Sequence, residues 1–326
     1  MPAHIFVVDE PNFEICVRQG LAGIFELANK KTNELILSHM LLLKIGNPVL
    51  FYIKGRQELH GVWEVSSEPF YDTARVWSDR LYPYRVCIRS KEENVFPIPL
   101  KLSDIYLLRD AGLIWNFNLR RNQWSSNAII EITNNEFDII FKEFVKTNPE
   151  GGVSSICEPK HRYQGTALTE RLSYKSGKNG TVKPQYECTI MGLLVKSLTD
   201  KKLPFFSKHC DYISYVQTDW GKEIDLLLIY EHPSQKGLIT SYDLFEIKKD
   251  RFGSDGLTQL LSYESWFVKS RAGGDSKMVR SIAIAASFHD DVISYLKKRA
   301  CYEGKNVLLF KYSVNHSRML EIHQVL

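Results

Sequence analysis

Residues Tyr242 to Tyr263 read "YDLFEIKKDRFGSDGLTQLLSY". The first half has the apolar run of a buried strand, yet it carries Glu246 and Lys248 two residues apart. The second half has helical spacing and sets Gln259 and Tyr263 four residues apart. Burying charge without partners is costly, so these groups need a reason for being there. Alternate side chains of a strand share a face. Tyr242, Leu244, Glu246 and Lys248 therefore point one way, and Asp243, Phe245 and Ile247 the other. Gln259 and Tyr263, at i and i+4, share one face of their helix.

The neighbouring segments supply candidate partners. "GKEIDLLLIY" is a strand that places Asp225 where its charged lead-in turns apolar, and a hairpin with the next strand would let Asp225 and Glu246 converge. "YECTIMGLLVKSL" is an amphipathic helix with Glu187 at its start. Two carboxylates with a carbonyl and waters suit Mg²⁺, a hard cation that prefers oxygen ligands. A Lys beside them can orient or deprotonate a water and stabilise a phosphate. Taken singly these features are ordinary: an acid-x-Lys on a strand is commonly a solvent-facing ion pair. Helix Glu, strand Asp, strand Glu-x-Lys and helix Gln-x-x-x-Tyr in one compact order form a far more specific combination.

From Tyr186 onward the expected order is helix, strand, strand, helix, strand, helix, strand, an α/β sandwich with a mixed sheet. The motifs "GKEID", "EIK" and "QLLSY" within 186–312 resemble the PD-(D/E)xK nuclease superfamily. The likeness is to its RecB-like branch, which includes the catalytic domain of mismatch-cutting DNA endonucleases. The resemblance implies metal-dependent hydrolysis of a DNA phosphodiester with Mg²⁺ or Mn²⁺. Glu187, Asp225 and Glu246 would surround the metal, Lys248 would lie near the water, and Gln259 and Tyr263 would support them.

The N-terminal part reads differently. "HIFVVD", "PVLFYIKG", "ELHGVWEVSSEP" and "YPYRVCIRS" are expected strands, with one helix near Asn33 to Leu43. Short strands around a small core predict a compact barrel, not a βαβ unit. Aromatic residues crowd its turns. Most belong in a core, and Phe51 or Tyr52 and Trp63 are assigned to packing. Phe25, Tyr71 and Trp77 fall outside strand alternation and are candidates for holding an unstacked base. The segments "NFEICVRQGLAGIF", "KIGNPVLFYIKG", "LHGVWEVSSEPFYD" and "ARVW", within 5–89, resemble the PUA-like superfamily in its EVE and YTH members. That resemblance implies a modified-base-binding cage at Phe25, Tyr71, Asp72 and Trp77. Phe25 stands where YTH members carry Trp, and Asn47 follows Gly46 where EVE members usually carry Asp.

Composition fits these readings. The chain has 326 residues, enough for two domains, and is 44% apolar and 25% charged with a net charge of +4. Between Pro159 and Gln185, Lys160, Arg162, Arg171, Lys175, Lys178 and Lys183 face one acid, Glu170, a local charge of +5. That stretch is either a solvated linker or a phosphate-tracking arm, or both. The six cysteines form no CxxC pair and the nine histidines no HxxxH or HExxH, which argues against a zinc site of usual spacing. The N-terminus lacks the pattern of a signal peptide, and no apolar stretch approaches the ~18 residues of a membrane span. A cytoplasmic protein is expected.

The expected organisation is a PUA-like β-barrel domain at 1–118, a helical and basic linker at 119–185 with Asn caps at "NNEFDIIFKEFV", and a nuclease domain at 186–326. The leading functional expectation is a modification-dependent DNA endonuclease, a homodimer or two binding events being required for a double-strand break. The alternatives are a mismatch or branched-DNA repair nuclease and a non-catalytic reader of modified RNA or DNA.

Overall fold

The computed structural model describes residues 2–90, 95–117, 129–153, 165–176 and 182–326. The chain divides into two compact units, Met1–Leu172 and Ser173–Leu326. Lys160, Arg162 and Lys178 of the basic stretch lie outside the described residues.

In the first unit the elements run β1 (Ala3–Val8), α1 (Glu10–Gln19), β2 (Leu21–Ile24), α2 (Lys30–Leu41), β3 (Pro48–Ile53), β4 (Glu58–Val65), β5 (Phe70–Tyr71) and β6 (Tyr84–Ser90). They continue as β7 (Leu100–Lys101), α3 (Leu102–Asp110), β8 (Ile129–Ile132), α4 (Asn134–Thr147) and β9 (Thr166–Ala167). The main path of the sheet is β8-β1-β3-β4-β6-β5-β9. Ile88 to Ser90 of β6 pair with β4, whereas Tyr84 to Cys87 pair with β2, so the sheet curls into a half-barrel.

β1 and β3 are parallel, with Ile5 opposite Leu50. A parallel pair needs a crossover connection, and α1, β2 and α2 supply it, contrary to the expectation of a barrel without such a unit. The helix α1 that went unread has its signals in "DEPNFEICVRQG". The Asp9 side chain caps the Asn12 N–H at 3.0 Å, Pro11 sits in the first turn, and Gly20 closes the end at φ 62°. The expected helix at 33–43 is α2, begun earlier by the Asn29 cap.

The segment expected as a linker belongs in part to the first unit's core. Ile132 of β8 and Ile140 and Phe144 of α4 are fully buried in one cluster with Ile5, Leu50 and Leu59. The N-cap of α4 is Thr133, not an Asn. Its hydroxyl accepts from the Glu136 N–H, and Glu136 returns to the Thr133 N–H, a capping box. The other oxygen of the buried Glu136 accepts the Trp115 and Asn116 N–H groups at 2.7 and 2.6 Å. At the far end Asn148 exchanges hydrogen bonds with the backbone of Ile98. Both ends of α4 are thereby tied to the preceding chain.

The second unit comprises β10 (Tyr174–Ser176), β11 (Val182–Pro184), α5 (Glu187–Thr199), β12 (Asp211–Gln217), β13 (Glu223–His232), β14 (Gln235–Phe252) and α6 (Ser254–Ser270). It ends with β15 (Val279–Phe288), α7 (Asp290–Glu303), β16 (Val307–Val314) and β17 (Leu320–Gln324). The sheet order is β10-β11-β16-β15-β14-β13-β12, with β17 on β16. β12, β13 and β14 are antiparallel, and β14, β15 and β16 are parallel. The order read from the sequence gains β12 between α5 and β13 and β17 after β16, and β10 and β11, within the stretch expected as a linker, join the same sheet. Helices flank both mixed sheets, so the mixed α and β class expected from the sequence is the one observed. No described helix is long and apolar enough to cross a membrane.

Candidate functional site

The hairpin of β13 and β14 pairs Leu226 with Phe245, and one step further along each strand stand Asp225 and Glu246. A carboxylate oxygen of Asp225 accepts the Ile247 N–H at 2.7 Å, which ties the two strands where their backbone ladder ends. Glu246 is 1% exposed, and the Lys248 ammonium reaches its Oε1 at 2.6 Å. Both oxygens of Glu246 are buried without a hydrogen-bond donor in line. On the parallel side Glu246 faces Ala283 and Lys248 faces Ala285, small residues that leave the charged pair room.

After Lys248 the register of β14 against β15 shifts. The peptide of Lys249 consequently bonds outside the sheet. Its N–H reaches Glu187 at the start of α5 at 3.2 Å, and its carbonyl accepts the Tyr312 hydroxyl at 2.5 Å. Bulges recur next to active sites because they re-aim side chains. Tyr312 has no motif to reveal it in the sequence; only the fold brings β16 against this peptide.

On α6, Gln259 donates from Nε2 to the Tyr263 hydroxyl at 2.6 Å. Tyr263 is buried at 1% exposure. Burial, with the charges of Glu246 and Asp225 adding to it, pushes its hydroxyl up to about 12, so it stays protonated.

The electrostatics follow from the placement. Burial, and then the Glu246 charge, push the Asp225 carboxyl well above the usual carboxylate range, against the Ile247 N–H and Lys248. Burial also raises Glu246, with Lys248 opposing. For Lys248 burial works downward, but Glu246 outweighs it and holds the ammonium above its ordinary value. One lysine thus serves two carboxylates that repel each other in a low-dielectric site.

Such a pair fits a hard divalent cation, because a second positive charge would satisfy the Glu246 oxygen that Lys248 does not reach and relieve the repulsion. The structure gathers two carboxylates here and not the three expected. Glu187 is exposed, its oxygen is taken up by the Lys249 N–H, and among the described residues no three His, Cys, Asp or Glu side chains are grouped to hold a metal.

The first unit contains a cavity of about 320 Å³ lined by Phe25, Trp77 and Tyr82, with Lys54, Arg80 and Asn12 among its polar groups. Trp77 is 1% exposed and its ring lies against Gly23, where a Cβ would come within 2.6 Å of it. Trp77 and Tyr82 are 4.9 Å apart between centroids, and Phe25 meets Tyr82 edge-on at 5.8 Å. The Arg80 guanidinium lies 4.7 Å over the Phe25 ring. The Tyr82 hydroxyl accepts from Asn12 and donates to Asp79, each at 2.8 Å, which fixes the ring. Burial lowers the Lys54 ammonium from its ordinary value.

Phe25 and Trp77 are therefore brought together, but Tyr71 and Asp72 do not line this cavity. Tyr71 packs on Tyr84 at 5.7 Å beneath Arg171 at 4.2 Å. Asp72 pairs at 3.0 Å with the fully buried Arg85, whose guanidinium lies 5.4 Å from the Trp77 ring. Asp72 acts behind the cavity wall. Tyr82 and Lys54 line it instead. Tyr82 was visible only as one aromatic among many, and Lys54 as the polar end of an apolar strand. Phe51, Tyr52 and Trp63 are core residues, as expected.

No family model and no curated protein sequence matches the chain. Solved structures with similarity include protein Atu2648 of Agrobacterium tumefaciens, 17% identical over 47% of this chain and 100% of that one, TM-score 0.31. Human THYN1, solved in complex with DNA containing 5-methylcytosine, is 15% identical over 44% of this chain and 98% of that one, TM-score 0.31. EndoMS, solved in complex with double-stranded DNA, is 17% identical over 36% of this chain and 44% of that one, TM-score 0.24.

Proposed function

We propose that the chain is a metal-dependent DNA endonuclease whose first unit reads an unstacked, modified base. The observation that carries the reading is Asp225 set directly opposite the buried Glu246, with Lys248 at 2.6 Å from one Glu246 oxygen and no donor on the other. A structural ion pair has no use for a second carboxylate set opposite the first, which only raises its cost. A cation-binding site requires it.

Asp225 and Glu246 would hold Mg²⁺ or Mn²⁺, and a bound cation would polarise the phosphodiester and lower the pKa of a coordinated water. Lys248 would orient the attacking water and offset the charge of the phosphate. In hydrolysis the water oxygen bonds to phosphorus, one P–O ester bond breaks, and the water's protons pass to solvent and to the departing alkoxide. Gln259 and Tyr263 hold the wall beside the carboxylates, and Glu187 fixes the Lys249 peptide that follows the lysine. A single such centre cuts one strand, so a double-strand break would require a homodimer or two binding events.

The cavity of Phe25, Trp77 and Tyr82 offers flat apolar walls at a volume suited to one base, with Asn12, Lys54 and Arg80 to meet its polar edge and phosphate. The test uses one plasmid prepared unmodified, cytosine-methylated and adenine-methylated, incubated with Mg²⁺ or Mn²⁺ and with the Lys248→Ala and Phe25→Ala variants alongside. Cutting of one modified form, lost in Lys248→Ala and weakened in Phe25→Ala, supports both halves of the reading. Equal cutting of all forms removes the modified base and favours a mismatch or branched-DNA nuclease. Binding without cutting under every condition removes the enzyme and leaves a reader.

A further inference from the structure

Between β12 and β13 the chain makes a tight turn at "TDWGK". The Thr218 N–H donates to the Lys222 carbonyl at 2.8 Å, the Thr218 hydroxyl donates to the same oxygen at 2.7 Å, and Gly221 stands at φ 77°. Thr218 is buried, whereas Trp220 at the tip is 47% exposed. An exposed indole is ordinarily a mobile one, but this one is held. It lies nearly parallel to the Tyr263 ring at 6.2 Å and 24°, and it meets Trp266 edge-on at 5.8 Å. The Trp266 indole N–H in turn donates to Asp219 at 2.8 Å, anchoring the residue before Trp220 to α6. Tyr263 carries the stack to Gln259 and the carboxylate site, and Lys222, two residues after Trp220 in the same turn, acts electrostatically on Glu246.

The turn therefore presents a rigid flat ring that ends a short aromatic stack, beside Lys222 and the Glu246–Lys248 pair. A nucleobase is a flat ring that would continue the stack, and its phosphate is an anion that Lys222 complements. We propose that Trp220 is the platform of a base-stacking subsite, holding an unpaired base of the strand that enters the Asp225, Glu246 and Lys248 site. The subsite takes its substrate from the nuclease reading, but its binding role stands apart from hydrolysis.

The test is binding of the full chain, without divalent metal, to a fluorescein-labelled oligothymidylate of about 15 residues, long enough for one site, and to an abasic oligomer of the same length. Trp220→Ala is expected to weaken oligothymidylate binding about 5- to 150-fold, the range of one lost stacked base. Trp220→Phe is expected to retain most of the affinity, and abasic binding to be equal in all three proteins. The slope of affinity against salt should not change, because no phosphate contact is removed. Unchanged oligothymidylate binding in Trp220→Ala overturns the subsite, as does an equal loss on both oligomers. So does a loss of self-association in sedimentation with base binding intact, which would make the indole a contact between copies of the chain. Failure of the nuclease reading shows differently: wild-type protein cuts no form of plasmid while the Trp220 difference in binding persists.

Discussion

Asp225→Asn should make the metal-free protein more stable, and the sign of that change separates a cation site from a structural ion pair. Residues directly opposite across an antiparallel pair have Cβ atoms ~4.5–5.5 Å apart. Asp225 and Glu246 stand in that relation, one step beyond Leu226 and Phe245. At ~5 Å and an effective dielectric of ~20 their repulsion is about 3 kcal/mol. Lys248 attracts both, and one ammonium roughly cancels one of the two unfavourable interactions. Burial is the largest effect on Asp225, ahead of the Glu246 charge, the Ile247 N–H and Lys248. An amide at position 225 removes the burial penalty of the charge and the repulsion, and its oxygen can still accept the Ile247 N–H.

The expected net gain is about 1–3 kcal/mol, in keeping with the replacement of buried charges by neutral groups of similar shape. Urea denaturation at neutral pH in a chelator measures it. Adding Mg²⁺ at about 1,000 times its dissociation constant should stabilise the wild type by about 4.1 kcal/mol and the Asp225→Asn protein by much less, so that their order reverses. A variant less stable than wild type by more than about 1 kcal/mol without metal would refute the reasoning. It would mean that Asp225 serves the fold as a partner of Lys248.

Two further outcomes follow from the first unit. Burial lowers the buried His4 to about 3 and His39 to about 4, so the folded state keeps both neutral where the unfolded chain protonates them. Stability is then full above the unfolded pKa of ~6.5 and falls as pH drops toward the folded values. At pH 5 the loss is ~2 kcal/mol per histidine. Urea midpoints between pH 7.5 and 5 should shift less in His4→Asn than in wild type, and equal shifts would count against the neutral burial of His4. Phe144→Ala should cost ~3–5 kcal/mol in the first unit's unfolding transition, since Phe144 is fully buried and stacks on Phe96 at 5.3 Å and 9°. A loss under ~1 kcal/mol would return α4 to the status of a linker.

The carboxylate site of the second unit was legible because its determinants are local. Glu246 and Lys248 share a strand, Gln259 and Tyr263 share a helix, and Asp225 is reached by one hairpin, so period and spacing carried most of the geometry. Glu187 was placed beside the site but not in a group of three, because a peptide bulge after Lys248 turns the Lys249 N–H onto it. Periodicity carries no record of a bulge. Strand β12 was missed because Tyr215 sits in it at φ 52° and interrupts its alternation.

The cavity of the first unit was half legible for the opposite reason. Its walls come from distant positions, Asn12, Phe25, Lys54 and Trp77, joined by a crossover that the strand pattern did not reveal. Without α1 in place there was nothing to say that Asn12 would fix the Tyr82 ring, so Tyr82 could not be told from a core residue. Tyr71 was named because it was read as lying outside strand alternation, and Asp72 because of the family resemblance; in the structure Tyr71 belongs to β5 and pairs with Tyr84 of β6. Yet Asp72 spends its charge on Arg85, which is fully buried and needs an anion more than a ligand does. A buried arginine in a strand is visible in "YPYRVCIRS", and asking which acid must neutralise it would have moved Asp72 behind the wall. The same question asked of the second unit, with Glu246 as the buried charge, leads to Lys248 and then finds Asp225 on the wrong side of the balance. That unbalanced carboxylate separates a site from a structural pair.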